Sequence, residues 1–398
     1  MKSLRTLVMS PLVPPMVGSV ATVLGTLLKY FPKGSYCILT GNLMGAQYGL
    51  ESGTALECEY FSADLPEFLV KRKWNRFLLP IYDFLQVPVV VWKGVALVRS
   101  RKVDNILVTV IPNNGFEIAA FFVHKLTGKP LYVYLFEIYA EAQTSRLHKL
   151  KARLLEERLL KSAACVFVMS ENLQEHLATK YGIKAEVIPH PVEIPQGGDA
   201  PQLETLDGPL DNWREYRIVY TGMIYDAHLD SVLNLVHALD CLGDANIKLA
   251  IYTPRPLERL VELGVRGNHV TFDRLPHSSI ASVQRNADIL FLPLAFDSPY
   301  PELIKNAFPG KLPEYLAVGK PILVHAPACA YISQYARKEG FGLVVDTFNP
   351  TDLQKAIQRL LSDQGLRQEL VRNARRILVR HEATSVSRRL QKHLGMRG

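Results

Sequence analysis

Cysteine is scarce and scattered in this 398-residue chain: Cys37, Cys58, Cys165, Cys241 and Cys329 are odd in number and never form a C-x-x-C pair. That pattern excludes a structural zinc ribbon and argues against a disulfide framework, so a reducing compartment is expected. D-x-D, G-x-S-x-G, H-E-x-x-H and the phosphate-cradling P-loop are also absent. Without them there is no support for a dicarboxylate-held metal, a hydrolase nucleophile elbow, a zinc protease or a P-loop nucleotidase. No low-complexity tract occurs, and 48% apolar with 21% charged residues is the composition of a folded globular protein.

A clean membrane span is missing too. Residues Phe77 to Val98, "FLLPIYDFLQVPVVVWKGVALV", are long enough to cross a bilayer but carry Pro80, Asp83, Gln86, Pro88 and Lys93. A buried or interfacial segment is expected there. The first residues mimic a secretory signal, two basic residues before an apolar run, until Pro11, Pro14 and Pro15 break it. A strand, a Pro/Gly loop and a helix explain it better, and a cytoplasmic protein is expected.

What is present is positive charge: a formal +8 and a pI near 9.1. Much of the excess crowds the C-terminal region, where Arg367, Arg372, Arg375, Arg376, Arg380, Arg388, Arg389, Lys392 and Arg397 form either a solvated helix face or a contact with a membrane surface or polyanion. Peripheral contact with the inner face of a plasma membrane fits this charge. Nucleic acid has net charge alone in its favour and is not expected.

Length implies two domains. Strand-like runs alternate with helical spacing through "LRTLVM", "SYCILT", "NILVTVI", "PLYVYLF" and "CVFVMS". The text between Glu193 and Trp213 turns rich in Pro, Gly and Asp, and the alternation restarts at "RIVYTG". Interleaved strands and helices mean βαβ units and a largely parallel sheet. The division expected is residues 1–195 as one Rossmann-like domain, 196–213 as linker, 214–378 as a second, and 379–398 as a C-terminal helix. Such doubly wound domains bind ligands at the carboxyl ends of their strands, so a cleft is expected between them. Asn349-Pro350 reads as a helix start, with a capping Asn and Pro at the first position.

The stretch "NAFPGKLPEYLAVGKPI", residues 306 to 322, carries the chemistry. Pro313 is tolerated only in a first helical turn, so a helix begins near Gly310 and leaves free amides at Gly310 and Lys311. Helix amides attract phosphate. Glu314, three residues beyond Lys311, suits a vicinal diol. Phosphate and diol are the polar parts of a nucleotide diphosphate.

With "VYTGM" upstream and "VIPHPVE" closing the first half, the stretch "RNADILFLPLAFDSPYPELIKNAFPGKLPEYLAVGKPIL" resembles the retaining GT-B glycosyltransferases of the large group called family four. The resemblance covers the second domain well and the first loosely. It implies two Rossmann-like doubly wound domains facing a central cleft, a nucleotide-sugar donor on the second, an acceptor on the first, and a last helix that returns to the first domain. The second acid of the family's E-x7-E pattern falls on Glu314, which would bind the ribose; the first falls on Asn306, a departure that keeps a hydrogen-bonding group without its charge. Gly222 matches the glycine after the domain's first strand, and Leu275 sits where backbone groups contact the base. The Arg and Lys of the family beyond that glycine are replaced by Met223, Ile224, Ala227 and His228, so Lys311 and Arg255, with Lys305 behind them, become the candidates to neutralise the diphosphate. Gly18 lies in the loop that approaches it from the first domain. A His-Asp pair there is replaced by Phe136 and Glu137, and Glu137 would orient an acceptor hydroxyl; His190 reads as a packing residue. The resemblance thus makes Asn306, Lys311 and Glu137 the catalytic candidates. It makes Gly18, Gly222, Arg255, Leu275, Ala307, Phe308, Gly310 and Glu314 the donor-binding ones, with no metal and no cofactor.

The function implied is transfer of a sugar, with retention, from a nucleotide diphosphate donor to a glycan or lipid-linked acceptor in surface polysaccharide or glycolipid assembly. A nucleotide-sugar 2-epimerase, which needs no acceptor, and a non-catalytic GT-B subunit, suggested by Asn306 and the missing Arg/Lys pair, are the alternatives.

Overall fold

The computed structural model describes residues 4–16, 18–41, 55–63, 79–111, 114–138, 140, 146–194 and 214–396. The expected linker, 196–213, lies outside the described residues. By its internal contacts the chain divides into two compact units: residues 1–191 with 382–398, and Val192–His381.

The first unit is built on a parallel sheet of β1 (Thr6–Met9), β2 (Tyr36–Thr40), β3 (Glu59–Ser62), β4 (Asn105–Val110), β5 (Leu131–Leu135), β6 (Cys165–Val168) and β7 (Glu186–Val187), in the order β3-β2-β1-β4-β5-β6-β7 among the described residues. "LRTLVM" therefore supplies a central strand, buried at all four positions of β1. Strands covered on both faces read as unbroken apolar runs, which is how "NILVTV" appears in the sequence. The crossovers are α1 (Ser19–Leu28), α2 (Leu79–Ser100), α3 (Phe116–Thr127), α4 (Arg146–Ser162) and α5 (Glu171–Tyr181). The long apolar segment of the sequence is α2, and no helix among the described residues is long and apolar enough to cross a membrane.

The second unit repeats the architecture with β8 (Tyr216–Thr221), β9 (Ile247–Tyr252), β10 (Val270–Asp273), β11 (Ile289–Pro293), β12 (Ile322–His325) and β13 (Gly342–Val345), ordered β10-β9-β8-β11-β12-β13 and parallel throughout. Its helices are α6 (Leu229–Leu242), α7 (Leu257–Glu262), α8 (His277–Arg285), α9 (Pro301–Asn306), α10 (Leu312–Val318), α11 (Tyr331–Glu339), α12 (Pro350–Ser362) and α13 (Gln364–Leu378). Asn349 caps α12 through its side chain onto the Thr351 amide, and Pro350 occupies the first turn. Two apolar layers sandwich the sheet, one led by Tyr220, Leu235 and Ile357, the other by Leu290, Tyr315 and Tyr335.

Past a short 3-10 turn at Val379–His381, α14 (Ala383–His393) is counted with the first unit. Glu382 caps it, its carboxylate accepting from the Thr384 and Ser385 amides. Ser387 donates to the Leu27 carbonyl at 2.7 Å, Gln391 to the Tyr30 carbonyl at 3.0 Å, and Asn105 to the Leu394 carbonyl at 2.9 Å.

The basic C-terminal region is less of a solvated face than its charge suggests. Arg367 is buried and donates to the Leu360 and Leu361 carbonyls that α12 leaves unsatisfied at its end. Arg376 and Arg380 both pair with Glu339, and Arg389 donates to the Val187 carbonyl. Several of these charges close the fold.

Candidate functional site

In the second sheet the strand order reverses between β8 and β11, and ligands of doubly wound sheets bind beyond the carboxyl ends of the strands at such a point. Gly222 directly follows β8. Its φ of 114° is a conformation other residues rarely adopt, its amide donates to the Tyr252 carbonyl, and a Cβ added there would stand 3.5 Å from Lys311 Nζ. The glycine lets the chain turn against that ammonium.

The helix mouth differs in detail from the expectation. α10 begins at Leu312 with Lys311 as its N-cap, so Gly310 lies in the preceding turn and not in the helix. The Leu312 amide is taken by the Pro309 carbonyl at 2.9 Å, which makes this start a tight turn and shortens the helix to 7 residues.

Lys311 dominates the site. As a residue it is half-buried, but its ammonium is wholly enclosed and has no hydrogen-bond partner among the described residues. It lies 3.8 Å from the centre of the Tyr220 ring, whose negative face gives partial compensation. Burial pulls its pKa down to about 7, against an opposing pull from Glu314. His228, the N-cap residue of α6, is also buried. Burial first and Lys311 second hold its pKa well below the usual histidine range, while a hydrogen bond to the Met223 carbonyl opposes them. A carbonyl only accepts, so the ring nitrogen facing it carries the proton of the neutral imidazole, and the unpartnered Nδ1 is left as an acceptor. One enclosed cation and one enclosed acceptor therefore lie within electrostatic reach of each other.

A hydrogen-bonded frame holds these groups. Tyr315 on α10 accepts from the Thr221 amide at 3.1 Å and meets its hydroxyl at 3.3 Å; Gln284 on α8 donates to Thr221 Oγ1 at 3.0 Å and reaches Glu314 Oε2 at 3.5 Å. On α6, Asp230 accepts from the Phe296 and Asp297 amides, each at 2.8 Å, and ties the start of that helix to the loop after β11.

Gly222, Gly310, Lys311 and Glu314 thus gather with His228 at the switch point. Arg255, in the loop after β9, turns its guanidinium to the Ile224 carbonyl in the same β8 loop. Leu275 lies past β10, half-buried. Asn306 ends α9, its amide donating to the Glu302 carbonyl at 2.8 Å, and Ala307 is the C-cap. The half-buried Phe308 packs its ring against Tyr331, Tyr335 and His381 at the edge of the core. Gly18 is the N-cap of α1 and Glu137 is exposed two residues past β5, both in the first unit. His190 is buried.

The reading from residue types overlooked His228 as a site group. Its position beyond Gly222 was visible, but its significance comes from burial beside Lys311, which no local pattern encodes.

Residues 226–377 match the family described as glycosyl transferases, group 1. The similarity to that family is confined to this segment of the second unit. It covers α6 to α13 and hence most of the groups just described. No curated protein sequence matches the chain. Among solved structures, the chain superposes on the sucrose-phosphate synthase of Thermosynechococcus elongatus with a TM-score of 0.69 at 15% identity, over 98% of each chain. Anabaena HepE, in complex with UDP and glucose, gives 0.62 at 13% identity over 98% of this chain and 99% of that one. WaaG, a glycosyltransferase involved in lipopolysaccharide biosynthesis, gives 0.62 at 14% identity over 96% and 98%. The fold is GT-B, and sugar transfer from a nucleotide-sugar donor is the activity that the group 1 match supports.

Proposed function

We propose that this chain is a retaining glycosyltransferase that binds a nucleotide diphosphate sugar at the β8/β11 switch point and transfers the sugar to a hydroxyl of a glycan or lipid-linked acceptor, without metal or cofactor. The observation that carries the reading is the enclosed pair formed by the Lys311 ammonium and His228 Nδ1, neither with a hydrogen-bond partner among the described residues. A buried unpaired cation costs stability, and a site that keeps one is arranged for an anion. A ligand that satisfies both groups brings negative charge to Lys311 and a hydroxyl donor to His228, and a sugar diphosphate brings both.

The chemistry follows from that placement. As the sugar leaves, negative charge grows on the diphosphate. Lys311 stabilises it more than the ground state, in a setting of low polarity where such an interaction is strong. In a front-face displacement the leaving phosphate oxygen takes the proton of the attacking acceptor hydroxyl, so the enzyme's main task is to hold that charge. Glu314 accepts the ribose diol and Asn306 reaches sugar hydroxyls. The membership of HepE and WaaG in the same fold class agrees with a nucleotide-sugar donor and a surface glycan or glycolipid product.

Calorimetry on folded variants tests the assignment. Glu314→Gln removes a charge-assisted bond of about 1.5–3 kcal/mol, so affinity for nucleoside and nucleoside diphosphate alike should fall roughly ten- to a hundred-fold. Lys311→Met should weaken the diphosphate and spare the nucleoside. Asn306→Ala should affect only the complete donor. If all three bind every ligand as the parent does, the reading fails. If binding responds as stated while no acceptor is ever glycosylated, the chain is a binding subunit; hydrolysis or epimerisation of the donor without acceptor would mark a 2-epimerase.

A further inference from the structure

Helix α2 is apolar on both faces. Val90, Leu97 and Val98 are buried in the unit together with Gln86, which donates to the Ala63 carbonyl at 3.1 Å, and Lys93 donates to the Ser62 carbonyl. The face left to solvent carries Phe84, Leu85, Pro88, Trp92 and Ala96, at the three-and-four spacing of a single stripe, and closes on Arg99. Trp92 is 70% exposed and Leu85 52%. One exposed leucine is ordinary, but a continuous stripe is not.

The neighbouring helices extend the stripe into a surface. At Gly94 the α2 backbone comes so close to α3 that a Cβ would stand 2.7 Å from Val123, and Phe84 stacks on His148 of α4 with ring centres 5.8 Å apart. α3 exposes Phe122 and Leu126, and α4 exposes Leu150 and Leu154 one turn apart. The same helices expose Arg99, Lys125, Lys149, Arg153, Arg158 and Lys161, against the lone exposed acid Glu157 on the described part of α4. At the carboxyl ends of α2 and α3 opens a hollow of about 420 Å³ lined by Arg99, Lys102 and Lys129 with Val98 and Leu126, and with Asp104 beside them. It lies in the first unit.

We propose that this face docks on an anionic lipid bilayer, with α2 lying in the interface plane, Trp92 and its neighbours at the acyl boundary, and the basic rim on the headgroups. An apolar stripe bordered by lysine and arginine matches a surface that is apolar inside and negative outside. Two copies of the chain joined through the face would set like-charged rims against each other, so the charge favours lipid over self-association. The inference does not depend on the transfer reaction.

Sedimentation with vesicles tests it, using phosphatidylcholine alone and phosphatidylcholine with phosphatidylglycerol. The protein should partition onto the anionic vesicles and be released by high salt. Trp92→Ser should lower partitioning roughly ten-fold. The double variant Lys149→Glu/Arg153→Glu should lower it roughly twenty-fold or more, about five-fold per charge lost. Both sets of residues are exposed, so melting temperature and nucleoside diphosphate affinity should stay as in the parent. Failure to bind either vesicle, or equal binding by parent and variants, overturns the proposal. So does a dimer in sedimentation velocity that Trp92→Ser abolishes, because the occupant would then be a second copy.

Discussion

Lys151 and Lys311 bury the same ammonium group, one in each unit, with opposite outcomes. Lys151 sits on α4 with its side chain 3% exposed, 2.6 Å from Glu117 Oε1, whose side chain is 2% exposed, and it also donates to the Asn114 carbonyl. Lys311 has no hydrogen-bond partner among the described residues, and lies over the face of Tyr220 with Glu314 pulling on it from a distance. The first ammonium has its counter-ion and acceptors built in, so it serves the fold. The second lacks them and is ready for a ligand that supplies them. A buried charge marks a candidate site when its compensation is missing, and burial alone does not.

Substitutions can break or sharpen this contrast. The largest effect should come from Lys151→Met, which strands the Glu117 carboxylate inside the unit: a loss of about 3–5 kcal/mol is expected in urea unfolding. Adding Glu117→Gln should restore part of it, because the stranded charge goes. A variant that unfolds at the parent's midpoint would show that the pair is not the structural element described.

Lys311→Met should act in the other direction. The ammonium's pKa is about 7 in the folded protein and 10.5 ordinarily, so between those values the unfolded chain holds a proton that the folded chain does not. Stability of the unliganded protein therefore rises with pH across that window, and the cost of Lys311 is complete below about 7. The variant should be more stable than the parent near pH 6, by about 1 kcal/mol or roughly 2–4 °C in melting temperature, and the gain should shrink as the pH rises toward 10. Calorimetric melting across that range reads it. A destabilised variant would mean that Lys311 has an internal partner after all.

The smallest effect belongs to a third lysine. Lys161 stands 2.6 Å from Glu157 on the outer face of α4, with both side chains more than half exposed. Solvent screens such a pair, so Lys161→Ala should change stability by less than about 0.5 kcal/mol in the same urea assay.

Parts of this arrangement were legible in the residues. Alternating apolar runs implied parallel sheets, and the cap at Asn349-Pro350 and the proline of α10 fixed helix starts to within two residues. Lys311 and Glu314 were singled out by the proline-marked helix mouth and Gly222 by the resemblance, because a strand-to-helix turn and a helix mouth are local. What stayed hidden is what long-range packing decides. Glu117 and Lys151 are 34 residues apart and meet only when α3 and α4 pack. His228 reads as a loss of positive charge until its burial is known. The apolar segment at 77–98 does not say which way Gln86 and Lys93 will turn, since an all-round hydrophobic helix has no strong period to orient it.

The return of α14 to the first unit has a consequence for the order in which the protein is made. The second unit is one continuous run, whereas the first contains residues 382–398, about 190 residues after its main body ends. On a ribosome adding roughly 5–20 residues per second, the first unit waits on the order of 10–40 seconds for its last helix. During that wait Leu24, Leu27 and Leu28 of α1 lack the apolar face of Val386, Leu390 and Leu394 that joins them in one core. The half synthesised first is therefore the half completed last. Until then the α1 face at the start of the protein is apolar surface left open, and α14 itself covers it when it arrives.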